Sequence, residues 1–245
     1  MTADPSAPWR IERVRGPAGQ LLAPWPRPDD SRAPVVRLAR LVGPTAVVLG
    51  STQATSVVDT ARAAAAGIEV VTRPTGGGAV AVAPDAQVWL DAWVPRGHVL
   101  WDDDVIAAAS WLGDTWRRAL AALGAPAVHV HRGPAVCTAW SGLICFAGVG
   151  PAELCVAAGG AKITGLAQRR TRSGARFHVS APLVWDPVPL VGVLAPERLP
   201  APPDVAARVL ADVAVGLRPV APALAAFGNA EAIAVVEEAA IASLP

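Results

Sequence analysis

Three segments of this 245-residue chain carry residue types that could do chemistry. The first is Thr72-Arg73-Pro74-Thr75-Gly76-Gly77-Gly78-Ala79-Val80. Consecutive glycines let a backbone take positive φ and let a ligand approach it closely. Arg73 beside them favours an anionic or carboxyl-bearing ligand. No Gly-Lys-Ser/Thr follows, so this is not a P-loop. A strand rather than a helix comes next, so it is not a dinucleotide fingerprint. The same residues also read as a plain hairpin turn. The second segment runs from Gly159 to Arg170 and holds Lys162, the one lysine among 21 basic residues. A compact ammonium and a planar guanidinium are not interchangeable, so a lone lysine is either kept for its chemistry or left by chance. Arg169, Arg170, Arg172 and Arg176 follow it in the one locally basic stretch, which is either a solvated strand face or a docking surface.

The third segment is Cys145-Phe146, with Glu153 eight residues after the cysteine. Among Leu143, Ile144 and Phe146 a thiol reads as inert packing, but beside the Lys162 ammonium it would become a nucleophile. Cys137 and Cys155 read as packing. His129, His131 and Cys137 lack a fourth ligand at suitable spacing, and no metal is expected.

These residues must be held by strands and turns. The apolar content is 53% and the charged content 17%, which argues for a folded core. A net charge of +1 argues against wholesale nucleic-acid binding. No apolar run is long enough for a membrane span, the first residues do not form a secretory signal, and three cysteines without a C-x-x-C pair fit a reducing compartment; a cytoplasmic protein is expected. Residues 1–33, rich in Pro and Arg, read as an irregular arm. A short helix is expected over 35–42 and a buried strand over 45–49. A helix over 55–66 would end at Gly67, with strands at 68–71, 79–82 and 88–94. Asp102 to Asp104 would open a helix carrying Leu112, Trp116, Leu120 and Leu123 on one stripe. Short strands are expected at 128–130, 143–146, 154–156, 162–166 and 176–179. Three Ala-rich helices would follow near 203–217, 221–227 and 230–242. The pattern predicts an α+β fold, a mixed sheet flanked by helices.

Taken together, the segments resemble the lipoate–protein ligase and octanoyltransferase family, within the biotin/lipoyl ligase superfamily. That family has an Arg-Arg-x-x-Gly-Gly-Gly-Ala-Val loop, present here from Thr72 to Val80 with Thr72 in place of the first arginine. Its Lys-x-x-Gly-x-Ala-Gln segment stands as Lys162-Ile163-Thr164-Gly165-Leu166-Ala167-Gln168. Its His-Gly-Thr-Leu-like motif is altered to His178-Val179-Ser180-Ala181-Pro182-Leu183. The resemblance covers about residues 35 to 185. It implies a largely antiparallel mixed sheet, a catalytic domain over 34–186 and a helical C-terminal extension over 187–245.

It further implies transfer of a lipoyl or octanoyl group to a lysine of a lipoyl domain, in a 2-oxoacid dehydrogenase or the glycine cleavage system. Arg73, Gly76, Gly77, Gly78, Ala79, Gly165, Ala167 and His178 would bind the substrate. Lys162 would be catalytic, donating to the acyl carbonyl or phosphate oxygen. Arg169, Arg170, Arg172 and Arg176 would dock an acidic carrier or target. One branch of the family forms a thioester on a Cys in a Cys-Phe-(x)6-Glu context, which Cys145, Phe146 and Glu153 match. That match favours an octanoyltransferase using octanoyl-acyl carrier protein, with Cys145 catalytic and no tightly bound cofactor. The alternatives are a ligase that makes an acyl adenylate with ATP and Mg²⁺, and a non-catalytic acyl- or carrier-binding module. A biotin ligase is disfavoured, since its loop is of the Gly-Arg-Gly-Arg type.

Overall fold

The computed structural model describes residues 7–23, 25, 33–157 and 159–245. Alternating apolar residues build its centre, a five-stranded sheet in the order β1-β2-β6-β10-β9. These strands are β1 (Arg10–Gly16), β2 (Val35–Leu41), β6 (Gln87–Pro95), β9 (Gly165–Arg170) and β10 (Gly174–Pro182). All neighbours are antiparallel except β1 and β2, which are parallel. A second sheet holds β3 (Ala46–Leu49) between β4 (Glu69–Thr72) and β5 (Val80–Val82), and a two-stranded ribbon pairs β7 (His129–Val130) with β8 (Leu154–Cys155).

Side-chain alternation sorts these strands into layers. On one face of the large sheet Leu38, Leu90, Ala92 and Phe177 pack against Leu112, Trp116 and Leu120 of α3 (Ser110–Ala122), and against Ile233 and Val236 of α7 (Asn229–Ala242). The expected α3 stripe, Leu123 included, is buried. On the other face Ala39, Leu41 and Trp89 meet Val48 and Val82 of the small sheet, together with Leu21 of α1 (Ala18–Leu21). Val47 and Leu49 of β3 point the opposite way, onto α2 (Thr60–Ala65), α4 (Val188–Val193) and α5 (Pro203–Ala211). The architecture is therefore α+β, a mixed sheet flanked by helices as the patterning predicted, and largely antiparallel as the resemblance implied.

Three local expectations are corrected. Residues 35–41 are a strand, not a helix. Val36 and Leu38 face one core while Val35, Ala39 and Leu41 face others, so both sides are apolar and the alternation vanishes. The arm holds β1, an edge strand whose outward arginines hide its period, and α1. Its residues 1–6, 24 and 26–32 lie outside the described residues. Residues 143–146 form no named strand: Cys145–Ala147 is a 3-10 turn, joined to the rest by a single bridge from Ile144 to Ala79. The region after Pro187 also belongs to the body. The short helix α6 (Leu217–Val220) enters the same core as α3 and α7, and Arg40 of β2 grips Glu237 of α7 through two bonds of 2.7 and 2.9 Å.

Candidate functional site

The glycine loop is built to hold the Cys145 turn. Strands β4 and β5 do not pair with each other but flank β3, so the loop crosses the end of β3 and is no simple hairpin. Arg73 folds beneath the loop. Its Nη2 donates to the carbonyls of Gly76 (2.7 Å) and Gly78 (2.8 Å), and its Nη1 donates to Val48 O (3.2 Å). Burial lowers the guanidinium pKa, and the charge of the nearby Cys145 thiolate form opposes this. Gly78 allows a close approach to the Cys145 turn: a Cβ there would lie 2.6 Å from the backbone carbon of Ile144. Across that contact Ala79 N donates to Leu143 O (2.7 Å) and Cys145 N donates to Ala79 O (2.9 Å). Thr72, at the position where the resemblance expected an arginine, is exposed.

Lys162 supports the same turn from the other side. Its ammonium bonds Glu153 Oε2 at 2.6 Å, Cys145 O at 2.8 Å and Gly148 O at 2.9 Å, which occupies all three of its protons. It is 2% exposed and lies over the Phe146 ring. Burial works against the charge, but Glu153 and the neighbouring thiols outweigh it and raise the pKa. Glu153 is satisfied in turn, accepting from Gly150 N (2.6 Å) and Leu166 N (2.7 Å). The spaced residues Cys145, Phe146, Glu153 and Lys162 thus meet in one buried knot.

A second buried charge cluster lies on the large sheet. Asp91 of β6 is fully buried and pairs in register with His178 of β10. Its Oδ2 accepts from Arg176 Nη2 at 2.8 Å, and its Oδ1 faces His178 Nδ1 and accepts from Trp89 Nε1 at 3.3 Å. Burial pushes the Asp91 carboxyl up, but the charges and hydrogen bonds of His178 and Arg176 prevail and bring it to about 2. The sequence analysis passed over Asp91. The available signal was a carboxylate in line with Trp89 and Trp93 inside the apolar run VWLDAWV, where only a paired charge is tolerated.

Between the two clusters, and between the two sheets, lies a narrow cavity of about 40 Å³. Leu22, Val48, Val80, Val82, Trp89, Leu166 and Val179 make its apolar wall. Arg73, Cys145, His178 and Ser180 supply the polar groups, and Gly165 and Ala167 also line it. Gly165 leaves room for the thiol: a Cβ there would sit 3.3 Å from Cys145 Sγ. Lys162 and the glycines 76–78 are not on this wall; they position the cysteine that is.

The remaining predicted residues are dispersed. Arg169 and Arg172 are exposed, and Arg170 stacks on Trp101 (4.2 Å) and bonds Asp102 O. Arg176, expected with them as a docking residue, is instead 4% exposed and bound to Asp91, because its position on β10 points it inward. Cys137 is exposed and Cys155 is buried, with burial, followed by Glu153, raising its pKa. His131 Nε2 lies 2.7 Å from Pro134 O. No cluster of three or more His, Cys, Asp or Glu groups suited to a metal occurs among the described residues. No helix among them is long and apolar enough to cross a membrane.

The fold is shared with solved structures. A bi-partite lipoate protein ligase from Thermoplasma acidophilum, described with its E2 lipoyl domain, matches at TM-score 0.70 and 16% identity over 97% of this chain and 84% of that chain. A lipoate-protein ligase A bound with ATP matches at TM-score 0.66 and 15% identity, over 100% and 86%. A putative lipoate protein ligase from T. acidophilum with bound lipoic acid matches at TM-score 0.64 and 16% identity, also over 100% and 86%. These likenesses define the fold as that of the lipoate–protein ligases. The sequence carries it further: residues 27–215 match the lipoyl protein ligase A/B catalytic domain, and the chain belongs to that family. It is accordingly an enzyme of lipoyl or octanoyl transfer or ligation. No curated protein matches the sequence.

Proposed function

We propose that the protein transfers an octanoyl or lipoyl group to a lysine of a lipoyl domain and carries it in between as a thioester on Cys145. The carrying observation is the division of labour around the cavity. The Cys145 thiol lies on the wall, whereas the Lys162 ammonium is turned away and spends its protons on Glu153, Gly148 and the carbonyl of Cys145 itself. In this reading octanoyl-acyl carrier protein presents its thioester at the cavity mouth, with the acyl chain between the sheets. The Cys145 thiolate attacks the carbonyl, and the carrier's thiol leaves with a proton. The amine of the target lysine then attacks the Cys145 thioester, forming an amide and restoring the thiol. Arg73 places a positive charge near the thiolate. Lys162 is a positioning residue that fixes the turn. No tightly bound cofactor is required, and exposed Arg169 and Arg172 offer a surface to an acidic lipoyl domain or carrier, such as those of 2-oxoacid dehydrogenases or the glycine cleavage system.

The test is the intact mass of the protein after incubation with octanoyl-acyl carrier protein in the absence of ATP. The expected result is one added octanoyl group, removed by hydroxylamine and absent in Cys145→Ala. No adduct, with octanoyl- or lipoyl-adenylate formed when ATP and Mg²⁺ are added, would make the protein a ligase and return Cys145 to packing. Neither product, with octanoate still bound, would make it a binding module.

A further inference from the structure

The Asp91–His178 pair leaves one atom unused. His178 is 7% exposed, its Nδ1 faces Asp91, and its Nε2 has no hydrogen-bond partner among the described residues. An orphaned nitrogen in the interior is costly and calls for an explanation. His178 lines the same narrow cavity as Cys145, and the sheet register sets it next to the glycine that faces the thiol. Gly165, which lies against Cys145 Sγ, pairs with Ser180, and His178 pairs with the next cavity-facing residue, Ala167. His178 is thus the diagonal neighbour of Gly165, about 7–8 Å away along the sheet and within reach of an aromatic side chain. The small residues Gly165 and Ala167 leave the space between ring and thiol open.

We propose that His178 Nε2 is the proton acceptor and donor for Cys145, with Asp91 and Arg176 as positioning residues that fix the ring. The identity of the acyl substrate rests on the thioester reading above; the thiol–imidazole pairing does not. An ionised Asp91 can only accept, so Nδ1 carries the proton of the neutral ring and Nε2 is free to take another. The thiol proton passes from Sγ to Nε2, and the thiolate bonds to the acyl carbonyl carbon. As the tetrahedral species collapses, the carrier's sulfur leaves and takes that proton from Nε2. In the second half Nε2 accepts a proton from the attacking amine and returns it to Cys145 Sγ as the thioester breaks. Asp91 stays ionised throughout and balances the imidazolium. The charged groups around the ring are Asp91 from β6, Arg37 from β2, Arg176 and Arg169 from β10 and β9, and Arg73 from the small sheet.

The experiment measures iodoacetamide alkylation of Cys145 against pH by peptide mass, with exposed Cys137 as internal reference, and in parallel the octanoyl adduct. In His178→Gln, Cys145 alkylation should reach its plateau at higher pH than in wild type while Cys137 is unchanged, and single-turnover acylation at neutral pH should fall about 100-fold. A Cys145 profile identical in wild type and variant would overturn the pairing even if the adduct forms. A shifted profile without any adduct would keep the pairing and sink the acyl-transfer reading instead. Should His178→Gln not fold, the conservative Cys145→Ala serves: the NMR titration of the His178 ring should move when the thiol is removed, and an unmoved titration overturns the proposal.

Discussion

Two buried carboxylates, Glu153 and Asp91, flank one cavity, and their surroundings differ in a single respect. Around Glu153 every polar atom is matched: Lys162 spends three protons, and the carboxylate accepts from Lys162, Gly150 and Leu166. Around Asp91 the bonds to Arg176 and Trp89 and the pairing with His178 leave two buried nitrogens over, Arg176 Nε and His178 Nε2, and His178 lines the cavity. A closed network fixes a conformation, and a network with an unpartnered imidazole nitrogen can exchange a proton with whatever enters. The lone lysine draws attention in the composition, and its three protons are bonded to Glu153, Cys145 O and Gly148 O. In the reading proposed above, the reactive capacity sits with a thiol and an imidazole that composition does not mark.

Breaking the closed network should give the largest loss of stability. Lys162→Met leaves Glu153 charged and unpaired in the interior and should cost about 3–5 kcal/mol in urea unfolding. Adding Glu153→Gln should recover part of that loss, since the amide oxygen can still accept while the orphan charge is gone. If the double variant is no more stable than the single one, the knot is not held by the ion pair.

The open network should yield less, and with a pH signature. The Asp91 carboxyl stands at about 2 in the fold against 3.8 ordinarily, so it contributes stability above 3.8 that disappears as pH falls toward 2. The lowered pKa corresponds to roughly 2 kcal/mol at neutral pH. Asp91→Asn should therefore lose about that much at pH 7 and show a flatter stability profile between pH 4 and 2. A parallel loss at every pH would mean that Asp91 acts by packing alone.

Gly78→Ala tests the contact between the loop and the Cys145 turn. The added methyl meets the Ile144 backbone, so destabilisation of about 1–3 kcal/mol is expected, with slower Cys145 acylation in the fraction that remains folded. Acylation at the wild-type rate would show that the loop does not set the thiol's position. The smallest effect belongs to the surface: Arg169→Ala with Arg172→Ala should change stability by under about 0.5 kcal/mol. It should lower kcat/KM for the lipoyl domain a few-fold at low salt, the difference fading as salt is added. A salt-independent difference would remove the docking role.

Much of this was legible in the sequence, for identifiable reasons. The short β-branched run of β3 and the α3 stripe could be read from residue type and spacing alone. The pairing of Cys145-Phe146 with Glu153 and Lys162 was legible as a motif, and the fold joins those residues. Strand β2 was not, because apolar residues at 35, 36, 38, 39 and 41 satisfy helical spacing as well as a strand buried on both faces. Asp91 was hidden because its partners, His178 and Arg176, arrive 87 and 85 positions later and only strand pairing brings them across. Arg176 looked like part of a surface charge run because a one-dimensional cluster does not show which strand positions point inward.

The central claim is that the acyl group rests on the cavity thiol and not on the lysine behind it. Peptide mapping of the protein after octanoyl-acyl carrier protein treatment without ATP tests this most directly. The account predicts a hydroxylamine-labile octanoyl group on the peptide containing Cys145 and none on Lys162. An unmodified Cys145 peptide, or a hydroxylamine-stable octanoyl group on Lys162, would contradict it.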